Sequence, residues 1–194
     1  MKNIKNIIIL VIVLLVVIIG VYIYQITRNP YPELTDEVVQ MIGGQDMANE
    51  LIEKYIVSKQ DLQNAISIYR DGGMKEEDKP DITLFVDYAR NAKYIRKYEE
   101  SVEVLKSIFD YYEKSDIALI NLAHVYEDMG EYQKAIDTYL EFYDMFGVQI
   151  QQFHLDIMYD YMALGDKANV IKYYEEFRNE GYDSEEIRQY VTTP

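Results

Sequence analysis

The sequence predicts an all-α chain: an N-terminal transmembrane helix, an α-solenoid of about four helix pairs, and a C-terminal capping helix. Three observations carry this. An uncharged apolar run occupies Ile7 to Tyr24. Beyond it, large, small and aromatic residues recur in one order at intervals of about 34 residues, a period typical of stacked helical repeats. Glycines stand between the apolar stripes, where one helix must stop before the next begins.

Within Ile7–Tyr24 only Gly20 falls outside the aliphatic and aromatic set. As a helix that run spans roughly 27 Å, close to the hydrocarbon thickness of a bilayer. Tyr22 and Tyr24 stand where an interfacial aromatic belt is expected. The exit, Val21 to Arg28, has no small-x-small cleavage pattern, and no cysteine follows that could take a lipid. The expected layout is therefore residues 1–6 on the cytoplasmic side, an uncleaved anchor at 7–26, and the rest outside. Lys2 and Lys5 before the span, against Arg28 after it, set that orientation.

A stalk or linker follows at 27–45. Pro30 and Pro32 resist helix, Thr35-Asp36-Glu37 opens a brief one, and Gly43-Gly44 closes it. The helical repeat domain is expected over 46–192, its last short helix at 184–192 capped by Asp183-Ser184-Glu185-Glu186.

The repeat is clearest at 116–149. Leu119, Leu122, Ala123 and Tyr126 share one side of a helix, Asp128-Met129-Gly130 breaks the run, and Tyr132, Ala135, Ile136, Tyr139 and Phe142 form a second stripe. Ala123 and Ala135 are small enough to let two helix axes approach closely. This order resembles the tetratricopeptide repeat, with Gly147 where that family often has proline. Matching copies fall at 82–115 (Phe85, Tyr88, Ala89, Tyr98, Ser101, Leu105, Ile108) and at 151–184 (Ile157, Tyr161, Gly165, Val170, Tyr174, Phe177). The first departs from the family at Ala92 and Arg96, where tyrosine and glycine are favoured, and the second at Met158, where a small residue is usual. A fourth copy is expected at 46–79, carried by Ile52, Ile56, Leu62, Ala65 and Tyr69, with Glu53 in the small position.

The resemblance implies a protein-interaction scaffold, because in this family the first helices of successive pairs line a groove that holds a partner protein or peptide. The residues it points to are Lys54, Val86, Arg90, Lys93, Tyr94, Ile120, His124, Glu127, Leu155, Tyr159 and Met162. Lys54, Arg90 and Lys93 group toward the N-terminal end of that face and would draw an acidic peptide. The Lys/Asn pairs with which some members grip a C-terminal carboxylate are missing, since Glu50 and Asp87 stand near those places. The alternative expectation is self-assembly into an envelope or secretion complex, through exposed aromatic edges at Tyr111-Tyr112 or Tyr173-Tyr174.

Composition narrows the chemistry. The formal net charge is −15, and all 34 acidic residues lie beyond Arg28, so nucleic acid and anionic headgroups are disfavoured as partners. Cysteine is absent, which excludes disulfides, thiolate metal sites and a cysteine nucleophile. Neither Gly43-Gly44 nor Gly72-Gly73 is followed by the Lys-Ser/Thr of a phosphate loop. His124 and Glu127 share a helix, but two ligands do not make a zinc site and His154 belongs to another helix. Acid pairs such as Asp156/Asp160 and Glu99/Glu100 are what so acidic a composition produces by chance. No catalytic residue, cofactor, metal or small-molecule substrate is expected, and the 20 tyrosines are expected to fill the layers between helices.

Overall fold

A computed structural model describes residues 34–148 and 150–193. The expected anchor at 7–26 and the start of the stalk lie outside them. Among the described residues every regular element is helical, and no helix is long and apolar enough to cross a membrane.

The chain divides into two compact units, residues 1–52 and 53–194. In the described part of the first, α1 (Asp36–Met41) starts where expected, the Thr35 hydroxyl accepting from the Val38 amide at 3.3 Å. Leu34, Val39, Ala48 and Ile52 are its buried residues. Helix α2 (Gln45–Asp71) begins in this unit and continues into the next.

That continuity corrects the expected repeat at 46–79, which is one uninterrupted helix rather than a pair. The reason lies at the turn. The residues that end the first helix of each true pair are Arg96, Gly130 and Gly165, all with positive φ (62°, 73° and 71°). The corresponding residue of α2 is Gln60, in mid-helix, with no glycine or proline near it to break the run. A straight helix carries the same apolar stripe unbroken.

Three pairs follow in the second unit: α3 (Ile82–Tyr94) with α4 (Tyr98–Ser107), α5 (Asp116–Asp128) with α6 (Tyr132–Phe146), and α7 (Gln151–Ala163) with α8 (Lys167–Asn179). Each turns in the same way. The amides of Lys97, Glu131 and Asp166 reach back to the carbonyls of Ala92, Tyr126 and Tyr161, at 2.9, 2.8 and 2.9 Å. That bond satisfies a carbonyl the ending helix would otherwise leave open. Side chains cap the starts of α3, α5, α8 and α9: Asp81, Ser115, Asp166 and Ser184 accept from Thr83, Ala118, Asn169 and Ile187 amides.

Close approach within a pair depends on what sits at the crossing. Ala123 and Ala135 are fully buried in the middle pair. In the first pair the fully buried Ser101 faces Ala89, its hydroxyl donating to the Ala89 carbonyl at 2.8 Å. In the third, Met158 and Val170 are fully buried, and an unbranched, adaptable methionine stands where the small residue is usual. Around the crossings Phe85, Leu105, Ile108, Leu119, Ile136, Tyr139, Ile157 and Phe177 are almost wholly buried, each contributing about 1.5–3 kcal/mol. Aromatic rings join one pair to the next: Phe153 of α7 lies 4.9 Å from Tyr139 and 5.0 Å from Phe142 of α6, centroid to centroid. Helix α9 (Glu185–Thr192) packs on α8 through the buried Ile187.

The aromatic edges expected to drive self-assembly are used inside the fold instead. Tyr111 packs on Phe85 at 5.3 Å and Tyr69 at 5.7 Å, and Tyr112 donates its hydroxyl to the Pro80 carbonyl at 2.8 Å. Tyr173 and Tyr174 are buried. Tyrosine pairs at consecutive positions look two-sided in sequence, but here both rings find neighbours in the same stack.

Candidate functional site

The residues expected to line a groove fall on the first helices of the three pairs. Helix α3 contributes Val86, Arg90, Lys93 and Tyr94; α5 contributes Ile117, Ile120, His124 and Glu127; α7 contributes Leu155, Tyr159 and Met162. Polar contacts tie neighbouring members together. Asn91 of α3 donates to the Lys54 carbonyl and the Ser58 hydroxyl of α2, at 3.4 and 3.2 Å. Lys93 pairs with Asp128 of α5 at 2.8 Å, and the Tyr159 hydroxyl donates to Glu186 of α9 at 2.9 Å. Tyr94, Ile117 and Tyr159, one on each first helix, are exposed by 47%, 39% and 39%. Val86, Ile120, Leu155 and Met162 lie half-buried between them.

Charge on this face departs from expectation. Arg90 is paired with Asp87 one turn back on α3, and Lys93 with Asp128. The grouped cations are thus offset by the chain's own acids, and the case for an acidic peptide weakens. Asp87 was legible as a neighbour three residues away. Asp128 was not, because it reaches Lys93 only across helices.

At the other end of the face the carboxylates gather. Glu127 of α5, Asp156 and Asp160 of α7, His124 of α5 and Tyr139 of α6 interact electrostatically. Tyr139 donates its hydroxyl to Glu127 at 2.7 Å, and Gln152 donates to Asp156 at 2.8 Å. Burial pushes Glu127 and Asp156 above the usual carboxylate range, in each case partly opposed by that hydrogen bond. Asp160 has only 4% of its surface exposed, and its Oδ2 reaches no donor among the described residues. Burial first, and then the Glu127 and Asp156 charges, raise its carboxyl to about 7. The sequence offered no sign of this, since an acid at a buried helix position looks like any other acid in so acidic a chain.

His154 is a core residue. It is 1% exposed, set among the rings of Tyr143, Tyr173 and Phe177, with Nδ1 3.7 Å from Glu180. Among the described residues no three His, Asp or Glu side chains converge as ligands for a metal ion.

A helix pair turned by a left-handed residue, crossed at small side chains and stacked on like pairs through aromatic rings defines a helical-repeat protein. Residues 118–145, the body of α5 and α6, match the tetratricopeptide repeat. No match was found among curated proteins or among solved structures.

Proposed function

We propose that the protein is a membrane-anchored adaptor that binds a partner protein along the shared face of α3, α5 and α7. The observation that carries this reading is the row of uncovered side chains Tyr94, Ile117 and Tyr159, one on each first helix, in a tetratricopeptide-repeat protein. Members of that family serve in general as protein-interaction modules. The anchor is the uncharged run Ile7–Tyr24, with the N-terminus cytoplasmic and the repeats on the opposite side of the membrane.

A photo-crosslinking amino acid placed in the full chain at Tyr94, Tyr159 or Met162 tests the face. Lys172, exposed on the second helix α8, is the control position. One adduct shared by the three face positions and missing at Lys172 supports the reading; equal labelling at Lys172, or labelling there alone, removes it. Protease added to intact cells tests the orientation: digestion of the repeats is expected, and their full protection would reverse it.

A further inference from the structure

The acidic end of the face holds an arrangement that the adaptor reading leaves unused. Asp160 is buried to the degree of a core residue, yet nothing among the described residues donates to its Oδ2. A carboxylate taken out of water without a donor costs several kcal/mol in general, so such a group is commonly found neutralised or paired. It faces two further acids, Glu127 and Asp156, which are half-buried and open toward solvent on the same face. No lysine or arginine among the described residues is paired with any of these three. Several of the chain's cations are held by other acids: Lys59 by Glu100, Lys93 by Asp128, Arg90 by Asp87, Arg188 by Asp183 and Glu185.

We propose that Asp160, with Glu127 and Asp156, receives an arginine side chain of the partner protein. The proposal rests on the adaptor reading and specifies the chemistry of its anchor point. An arginine fits better than an inorganic cation, because the acids do not converge as metal ligands, whereas a guanidinium spreads five donors over a planar fork. It fits better than a lysine because the guanidinium is more weakly hydrated and gives up water more readily to reach a buried acceptor. Aromatic rings adjoin the acids: the Tyr139 hydroxyl donates to Glu127 at 2.7 Å, and its ring lies 6.4 Å from the His124 ring and 4.9 Å from Phe153. Charge complementarity then runs opposite to the acidic-peptide expectation, and the partner's docking segment is basic.

Entry of the cation would also draw the Asp160 proton off. Glu127 on α5 and Asp156 beside it on α7 act on Asp160 directly, while His124 and Asp128 on α5 and Tyr139 on α6 act on those two acids. Binding should therefore tighten as pH rises through about 7, where an empty Asp160 ionises unaided.

The test is an NMR titration of the full chain with acetyl-arginine amide, reading the His124 and Tyr139 ring signals at low salt. Acetyl-citrulline amide, neutral and nearly isosteric, is the control. The expected result is a saturable shift with the arginine probe alone, weakened about tenfold in either Asp160→Asn or Glu127→Gln, both checked for an unchanged melting transition or a higher one. Equal shifts from the citrulline probe, no saturable shift, or full binding by both variants would each overturn the proposal; an equal response to acetyl-lysine amide would overturn the choice of arginine. Should these fail while Tyr94 and Met162 still crosslink a partner, the adaptor stands and only its anchor point is lost.

Discussion

Two acids inside the same stack have opposite surroundings. Glu100, on α4, accepts from the Lys59 ammonium at 2.7 Å, from the Tyr55 hydroxyl at 2.8 Å and from the Tyr88 hydroxyl. Burial alone would raise its carboxyl, but those three donors outweigh it and hold it below the usual range. The Lys59 ammonium is raised in turn, mainly by its bond to Glu100. Asp160, on α7, is more deeply buried and has no donor at Oδ2 among the described residues, and its carboxyl rises to about 7. The first acid fastens α2 to the α3/α4 pair. The second weakens the stack where it sits, an arrangement more easily understood as readiness for something outside the chain than as support for the fold.

The sharpest way to break this contrast is Glu100→Ala, which strands Lys59 and two tyrosine hydroxyls. It should cost about 2–3 kcal/mol, read as a lower denaturant midpoint. If stability is unchanged, the network is ornamental. Next in size is Asp160→Asn, which should stabilise the chain by about 1–2 kcal/mol at pH 8 by removing a buried charge. The two sites also carry opposite pH signs. A carboxyl held low in the fold contributes stability above its unfolded value and loses it as pH falls, so the Glu100 contribution fades below about 4.5. A carboxyl raised from 3.8 to about 7 makes the folded state bind the extra proton, so stability falls as pH climbs across that interval and levels off above it. Thermal melts from pH 4 to 8 should show that decline in the parent chain and a flatter profile in Asp160→Asn. A decline of the same size in both would mean that Asp160 is not its source.

The smallest expected effect concerns the turns. The pairs α5/α6 and α7/α8 turn at Gly130 and Gly165, whereas α3/α4 turns at Arg96 with φ at 62°, a region costly for a residue with a side chain. Arg96→Gly should stabilise by about 0.5–1 kcal/mol, visible as a small rise in Tm. Gly130→Arg should do the reverse; if neither moves, the turn geometry is not what limits the pair.

These turns also mark what was legible. Gly130 and Gly165 announced two of the three hairpins, and Ala123, Ala135 and Ser101 the crossings. Arg96 concealed its turn, because nothing in an arginine signals left-handed backbone. Gln60 concealed the lack of one: Ile52, Leu62, Ala65 and Tyr69 keep the same stripe whether or not the helix bends back. At the candidate site, helix spacing groups residues such as Val86, Arg90 and Lys93 on one side of their own helix. Sequence missed the charge balance, because the Lys93–Asp128 pair and the burial of Asp160 depend on neighbouring helices.

The chain holds 20 tyrosines and no tryptophan, and Tyr55, Tyr88, Tyr139, Tyr159 and Tyr174 all donate to carboxylates. A phenol whose proton is offered to a carboxylate loses its excited state without emitting light. The native protein should thus be dim under ultraviolet excitation and brighten as it unfolds, so its emission near that of free tyrosine serves as a built-in gauge of whether those bonds are intact, with no dye attached.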